Sequence, residues 1–271
     1  MSNEIDFITE KLVDFREVVF NQNKWSEFKS IKKEIKSGNK CPIEVNFTDK
    51  SLEGHLYLKH HLFYALEKKF NDGEIKLLLE DCAWIINDWG EIKFDLTKGN
   101  NTNILNNFLD KIFQKDSNRK VFDIKEEYRI ISSLSKVASF CKPQDYAIYD
   151  SKAILSINWL KIEYARKNDK KIKIFPQPPG GSNVVKNYNL KSLCNLAKYD
   201  IEEYKDEDKY QEYCSLLKEI SKKIYVSLDG KNKERFKDWP YLAEMFLFLY
   251  SDSKVGKLEE EIKNSISVKF N

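Results

Sequence analysis

The side chains best suited to chemistry lie in residues 132–153, where a lysine and an aspartate follow one another along the chain. The segment opens with three small residues, Ser132, Ser133 and Ser135, and enters an apolar stretch at Lys136. Pro143 predicts the end of that helix, because proline has no backbone N–H and cannot continue one. A short apolar approach then delivers Asp150 to the start of the next predicted helix. An aspartate at that position can cap free backbone N–H groups, and its fixed backbone also suits a catalytic carboxylate.

This order of residues resembles the helix-hairpin-helix DNA glycosylase superfamily, the group of 8-oxoguanine DNA glycosylase and endonuclease III. In that family a hairpin precedes a helix that starts near a nucleophilic lysine, and an apolar approach leads to an aspartate at the next helix. Lys136 matches the lysine, and residues 147–153, Ala-Ile-Tyr-Asp-Ser-Lys-Ala, match the approach and the aspartate. The Tyr-Asp-Ser sequence is similar to that of divergent bacterial members. Ser132–Ser135 stand where the family carries phosphate-binding glycines, so hydroxyl groups are expected to substitute.

The resemblance implies an enzyme that excises a damaged or modified base from double-stranded DNA. The base must leave the stack before its glycosidic bond can be reached. Asp150 is then the catalytic carboxylate, which stabilises positive charge on the sugar or activates the nucleophile. Lys136 is the expected nucleophile, and its attack would form a Schiff base and permit strand cleavage; without it, water attacks. Lys152 is a second candidate for the nucleophile.

Basic and aromatic residues of the chain are further candidates for contact with DNA. We expect DNA contacts from Ser133, Ser135, Lys152, Lys170, Lys171 and Lys173. Aromatic residues can stack on an extruded base, and we expect this of Trp89 and Tyr149. No cofactor or metal is implied, and a monomer is expected. A damaged purine would indicate repair, and a modified base in phage DNA would indicate antiviral defence.

Each feature also has a plainer interpretation. Asp150 can be an ordinary helix cap, Lys136 an exposed lysine at a helix start, and Trp89 a core residue. The segment from Lys136 to Lys198 holds twelve basic and four acidic residues, so it carries +8 within a chain of net charge +3. That excess favours contact with a polyanion, but a solvated lysine-rich face explains it equally well.

The composition excludes several classes of protein. Hydrophobic residues make up 41% of the 271 residues, which is enough for a sizeable core and excludes wholesale disorder. No apolar run approaches the roughly 18 residues of a membrane span, and no signal peptide is visible, so we expect a cytoplasmic protein. The chain has neither a phosphate-binding loop of the P-loop type nor a G-x-G-x-x-G motif, which disfavours a doubly wound nucleotide-binding fold.

Neither the cysteines nor the histidines show a metal-binding pattern. The five cysteines are scattered without a C-x-x-C pair, which disfavours disulfide frameworks and cysteine-bound metals. The three histidines, His55, His60 and His61, share one predicted helix but no common face.

Apolar spacing predicts a mostly helical chain. In the first helix Ile8, Leu12, Phe15 and Val19 recur on one face. Further helices are predicted near 52–70, 74–88, 104–112, 128–141, 150–167, 190–199, 208–225 and 239–250. Short extended pieces are expected at 43–47, 92–96 and 172–175, and the proline-rich stretch 175–182 is expected to be a loop.

The prediction is therefore a mainly α fold of the helix-hairpin-helix glycosylase type with minor β structure. A single domain over residues 1–271 is expected, with two lobes at 1–120 and 121–271. The alternative is a non-catalytic helical module on the same scaffold that binds DNA or protein, and a third interpretation is a helical interaction protein without a nucleic-acid partner.

Overall fold

The computed structural model shows a mainly α fold. It describes residues 2–21, 52–90, 92–114, 121–122, 125–168, 170–179, 189–196, 201–205, 208–226, 238–252 and 257–267. Within them the helices are α1 (Ser2–Asn21), α2 (Leu52–Asn71), α3 (Ile75–Trp84), α4 (Asn101–Phe113), α5 (Lys125–Arg129), α6 (Ile131–Cys141), α7 (Ser151–Asn168), α8 (Leu190–Leu196), α9 (Lys209–Val226), α10 (Tyr241–Tyr250) and α11 (Leu258–Ser267). A π-helical turn, Ile85–Trp89, continues α3. No described helix has the length and apolar character that a bilayer span requires.

The described β structure is one parallel pair of short strands. β1 (Ile172–Ile174) pairs with β2 (Ile201–Glu203) in the register Ile172 with Ile201 and Ile174 with Glu203. The prediction of an extended piece at 172–175 is confirmed. The prediction at 92–96 is wrong, since this stretch is irregular and ends in a turn. The prediction at 43–47 lies outside the described residues.

The chain divides into two compact units whose boundaries differ from the expected lobes at 1–120 and 121–271. Unit 1 comprises Met1–Asn21 and Tyr149–Asn271, and unit 2 comprises Gln22–Ile148. Unit 1 is discontinuous in sequence because the first helix packs with the C-terminal part of the chain.

Unit 1 is built around α7 and α10. These two helices pack on each other, α9 packs on α10, and α1 packs on all three. The apolar face that the sequence predicts for α1 is buried, with Ile8 and Leu12 inaccessible and Phe15 edge-on to Tyr250 at 5.1 Å. Burial of an apolar stripe against neighbouring helices supplies most of the stability of such helices, so this spacing correctly predicted α1.

Unit 2 is organised around α6, which contacts α2, α4, α5 and the π-helical turn. All residues of α6 except Ser132 are buried. Six of the eleven residues of α6 are serine, alanine or cysteine, whose small side chains allow neighbouring helices to approach closely. The prediction of one helix over 128–141 needs correction, because α5 ends at Arg129 and a turn at Ile130 separates it from α6.

Candidate active site

Asp150 is the N-cap of α7. The chain leaves α6 through a tight turn at Pro143, in which the N–H groups of Asp145 and Tyr146 both donate to the carbonyl of Lys142. It then continues without helix or strand up to Asp150, whose Oδ1 accepts the backbone N–H of Lys152 at 2.7 Å. This bond satisfies one of the free donors of the first turn, so the capping role of Asp150 is confirmed.

The capping hydrogen bond uses only one of the two oxygens of the Asp150 carboxylate. The side chain is half-buried, and it accepts no further hydrogen bond from a residue that the structure describes. Its second oxygen therefore has capacity for another donor or for a nearby positive charge. The N-terminal end of a helix favours negative charge there.

The neighbours of Asp150 in unit 1 are aromatic and buried. Tyr149 is fully buried, donates from its hydroxyl to the carbonyl of Pro176 at 2.7 Å and meets the edge of Tyr213 at 5.1 Å. Burial raises the pKa of Tyr213 well above its usual value, and the charges of Glu244 and Asp150 add to this. Tyr149 thus packs in the core and presents no exposed ring face to a base.

Lys152 is held in place by an acidic partner. Its ammonium lies 3.1 Å from Oδ2 of Asp252 and over the ring of Phe248, 4.6 Å from the centroid. Only 21% of the side chain is exposed. Nucleophilic attack by Lys152 would require its amine to leave both Asp252 and Phe248.

Lys136 is buried inside unit 2. The expectation of an exposed lysine at a helix start is wrong, because Lys136 lies in the middle of α6 and is 6% exposed. Its Nζ donates to the carbonyl of Ser132 at 3.1 Å. Its methylene groups lie against the backbone of Gly90, where a Cβ would come within 2.6 Å of Cδ. Lys136 belongs to unit 2, whereas Asp150 belongs to unit 1.

The predicted hairpin serines lie within a helix. Ser133 and Ser135 belong to α6 and are 5% and 0% exposed. The N–H of Ser133 donates to the carbonyl of Ile130 at 2.9 Å. The expectation of a serine hairpin ahead of the helix is therefore wrong, because α6 begins at Ile131 and both side chains are buried.

Trp89 differs from its expected position as well. The sequence suggested a loop aromatic at a helix end, but Trp89 closes the π-helical turn and is 9% exposed. Its ring packs edge-on against Phe140 at 4.8 Å. The core interpretation of this residue is the one the structure supports.

The predicted phosphate-binding lysines are exposed, but acidic residues accompany them. Lys170, Lys171 and Lys173 are all exposed. Lys173 lies on β1 opposite Glu202 of β2, and its Nζ sits 4.3 Å from the Tyr204 ring centroid. The charge of β2 therefore offsets part of the positive charge that the sequence places on β1.

Sequence reasoning gave no role to Lys59, which is 1% exposed on α2. Its Nζ donates to Oγ of Ser139 at 2.7 Å and lies 4.8 Å from the centroid of Phe140. These contacts link α2 to α6. The chain is rich in lysine, and nothing in the sequence around Lys59 distinguishes a buried lysine from an exposed one. The contact with Ser139 could therefore not be predicted.

No three His, Cys, Asp or Glu side chains are grouped so as to hold a metal ion within the described parts of the chain. Comparison of the chain with models of protein families, with curated proteins and with solved structures finds no match.

Proposed function

We propose that this protein is a DNA glycosylase that excises a damaged or modified base, with Asp150 as the catalytic carboxylate. The observation that supports the proposal is the placement of Asp150 at the start of α7. The carboxylate is fixed by the N–H of Lys152 through one oxygen, while its other oxygen accepts no hydrogen bond from a described residue. The sequence around it also resembles the helix-hairpin-helix glycosylases.

The proposed mechanism uses this carboxylate as a fixed negative charge. When the N-glycosidic bond of an extruded nucleotide breaks, positive charge develops on the sugar. The Asp150 carboxylate stabilises that charge without having to reorganise, since its backbone and one oxygen are already held. Phosphate contacts would come from the exposed lysines Lys170, Lys171 and Lys173.

The local contacts of the lysines favour water over an amine as the nucleophile. Lys152 is paired with Asp252, and Lys136 is buried with its Nζ on the carbonyl of Ser132. A reaction with water leaves an abasic site and an intact strand. A Schiff base through Lys136 would require its amine to leave that carbonyl and reach the sugar.

A second candidate is a helical module that binds DNA or protein without catalysis. The burial of Ser133 and Ser135 favours the protein-binding form of this candidate, because a phosphate cannot reach those hydroxyls in this conformation. In this alternative Asp150 is only a helix cap.

One experiment separates the two candidates. The purified protein is incubated with ordinary genomic DNA and with phage DNA that contains modified bases, and abasic sites are detected with an aldehyde-reactive probe. Asp150→Asn removes the charge but keeps a good N-cap residue, so the helix start survives. The exposed Asp72→Asn serves as the matched control.

The glycosylase proposal expects an aldehyde signal that falls at least about a hundredfold in Asp150→Asn and persists in Asp72→Asn. The sensitive DNA then identifies the class of base. Borohydride trapping of wild type, Lys136→Gln and Lys152→Gln reports whether either amine forms a Schiff base. If the wild type leaves every DNA intact yet binds it with steep salt dependence, the binding module is supported instead.

A further inference from the structure

A polar pocket lies within unit 1, between α1, α7 and α11. Its volume of about 440 Å³ falls in the range of small-molecule sites. Trp159 is the first residue of α7 that lines it, and it lies about 14 Å along the helix axis from Asp150. The pocket is therefore separate from the proposed catalytic residue, and what it binds does not depend on the glycosylase proposal.

Glu261 gives one end of the pocket a negative charge that is fixed in place. Its Oε2 accepts the indole N–H of Trp159 at 3.1 Å, and its Oε1 accepts the hydroxyl of Tyr250 at 2.7 Å. Both donors are neutral, and burial together with the hydrogen bond to Glu261 raises the pKa of Tyr250. Glu261 forms no ion pair with a residue that the structure describes. Each oxygen has capacity for a second hydrogen bond, so this end suits an ammonium group of a ligand.

Glu163 lines the pocket on α7 and lacks a hydrogen-bond donor. Its Oε1 lies 3.3 Å from Nζ of Lys11 and 2.9 Å from Nζ of Lys167, so two ammonium groups already share this oxygen. Its Oε2 is shielded from solvent and accepts no hydrogen bond from a described residue. A buried acceptor without a donor is costly, and such groups are rare in folded proteins.

The two lysines determine which kind of donor suits Glu163. A further cation beside this carboxylate would be repelled by the ammonium groups of Lys11 and Lys167, and an anion would be repelled by Oε2 itself. A hydroxyl group can donate its proton to Oε2 without adding a charge. The last torsion of a glutamate is broad, so a rotation of the carboxylate can present Oε2 to a hydroxyl in the pocket.

Trp159 and Glu163 bring the two ends together on one side of α7. They are four residues apart, so they lie on the same face of the helix with about 6 Å between them along the axis. A ligand that meets Glu261 beside Trp159 and also meets Glu163 can therefore be short. We infer that the pocket binds a small amino alcohol, with its ammonium group at Glu261, its hydroxyl at Glu163 and a short chain of methylene groups between them.

The test begins with three amino alcohols of increasing length, 2-aminoethanol, 4-aminobutanol and 6-aminohexanol. Binding to the full chain labelled with ¹⁵N is followed through the indole N–H resonance of Trp159, which donates to Glu261 and is assigned with Trp159→Phe. The controls have the length of the amino alcohol that binds most tightly. They are the alkylammonium without the hydroxyl, the diol without the charge, and the amino acid with a carboxylate in place of the hydroxyl. We expect the amino alcohol to bind at least about fivefold more tightly than each control.

Variants locate the two ends of the ligand. Glu261→Gln removes the charge that holds the ammonium group, so it should weaken the amino alcohol at least about tenfold but the diol less than about twofold. Glu260→Gln is the matched control and should leave binding unchanged, since Glu260 is the exposed neighbour on α11 and does not line the pocket. Glu163→Gln should lower the affinity of the amino alcohol to that of the alkylammonium. If either pocket variant disturbs folding, the comparison of ligands on the wild-type protein decides the matter.

Three results would overturn the inference. One is an indole resonance that moves with none of the amino alcohols at millimolar concentration. Another is an alkylammonium or amino acid that binds as tightly as the amino alcohol of the same length, which would show that no hydroxyl is recognised at Glu163. The last is equal affinity of the wild type and a folded Glu261→Gln variant for the amino alcohol. None of these results bears on the glycosylase proposal, which is tested on DNA.

Discussion

The side-chain amide of Asn158 pairs with the main chain of Phe175 in both directions, donating to its carbonyl and accepting from its N–H at 2.8 Å each. Both residues are almost completely buried. The two hydrogen bonds attach the residue after β1 to the middle of α7. Their donor and acceptor pattern is the one by which a residue in an antiparallel strand pairs with its neighbour. It gives unit 1 a polar anchor inside an apolar core.

Replacement of this amide should be among the most damaging single changes in unit 1. Asn158→Leu leaves the N–H and carbonyl of Phe175 without partners, so we expect a loss of about 2–5 kcal/mol in the free energy of unfolding. Urea unfolding followed by circular dichroism measures it. Asn103→Leu, at an exposed position on α4, is the control and should change stability by less than about 0.5 kcal/mol. Equal effects of the two changes would contradict the anchoring role.

The contact between Gly90 and Lys136 predicts a steric penalty. A methyl group at Gly90 would lie 2.6 Å from Cδ of Lys136 and 2.7 Å from the carbonyl oxygen of Ile86. Gly90→Ala should therefore cost about 1–3 kcal/mol. Added to it, Lys136→Ala should restore part of that loss, because only one of the two obstacles is a side chain. A double-mutant cycle measures the coupling. Strict additivity of the two changes would show that the residues do not meet.

Gly73 provides the contrast to Gly90. It has a φ of +74° in the turn after α2, but open space surrounds its Cα. Gly73→Asn should cost less than Gly90→Ala, because asparagine tolerates the left-handed conformation. Thermal unfolding of both variants tests the order, and the reverse order would contradict the packing described for Gly90.

The cap at Asp150 predicts different effects of two substitutions on stability. Asp150→Ala loses the bond to the N–H of Lys152 and should cost about 1 kcal/mol. Asp150→Asn retains a capping oxygen and should lie within about 0.5 kcal/mol of wild type. Chemical denaturation of the two variants measures this. A large loss of stability in Asp150→Asn would mean that the charge itself stabilises α7. Any loss of activity in this variant would then have to be corrected for the fraction of unfolded protein.

The raised pKa of Tyr204 predicts that the free energy of unfolding decreases at alkaline pH. Burial and the charges of Glu4, Glu212 and Glu202 raise its pKa from 10.0 to about 12. Between these values the unfolded chain ionises this phenol while the folded chain does not, so the stabilising contribution is complete below pH 10 and is lost as pH rises toward 12. Tyr204→Phe should flatten this part of the stability profile. An unchanged slope in that variant would assign the alkaline loss to other groups.

The sequence predicted the structure best where the spacing of apolar residues or a short turn motif within one segment determines it. The apolar face of α1 and the turn after α2 were both predicted, since helical periodicity and the pair Asp72-Gly73 are local signals. The helix start at Asp150 was predicted for the same reason. Strand β2 and helix α11 were missed, although three glutamates in the first turn of α11 are a start signal.

The site residues depended more on tertiary packing. The burial of Lys136 and Trp89 follows from the close approach of α6 to the π-helical turn, which no local pattern in the sequence encodes. The same holds for Glu261, whose two partners come from α7 and α10. Residues far apart in the chain create these environments, so spacing within one segment could not reveal them.

The division of the chain has a consequence for biosynthesis. Unit 2 is a continuous stretch, whereas α1 packs on α7, α9 and α10, all of which emerge from the ribosome after unit 2 has been made. Unit 2 can therefore begin to fold during translation, while the apolar face of α1 stays without its partners until α7, α9 and α10 have been made. Helix α1 is thus translated before unit 2 but buried after it, and during that delay its apolar face is open to contact with a chaperone.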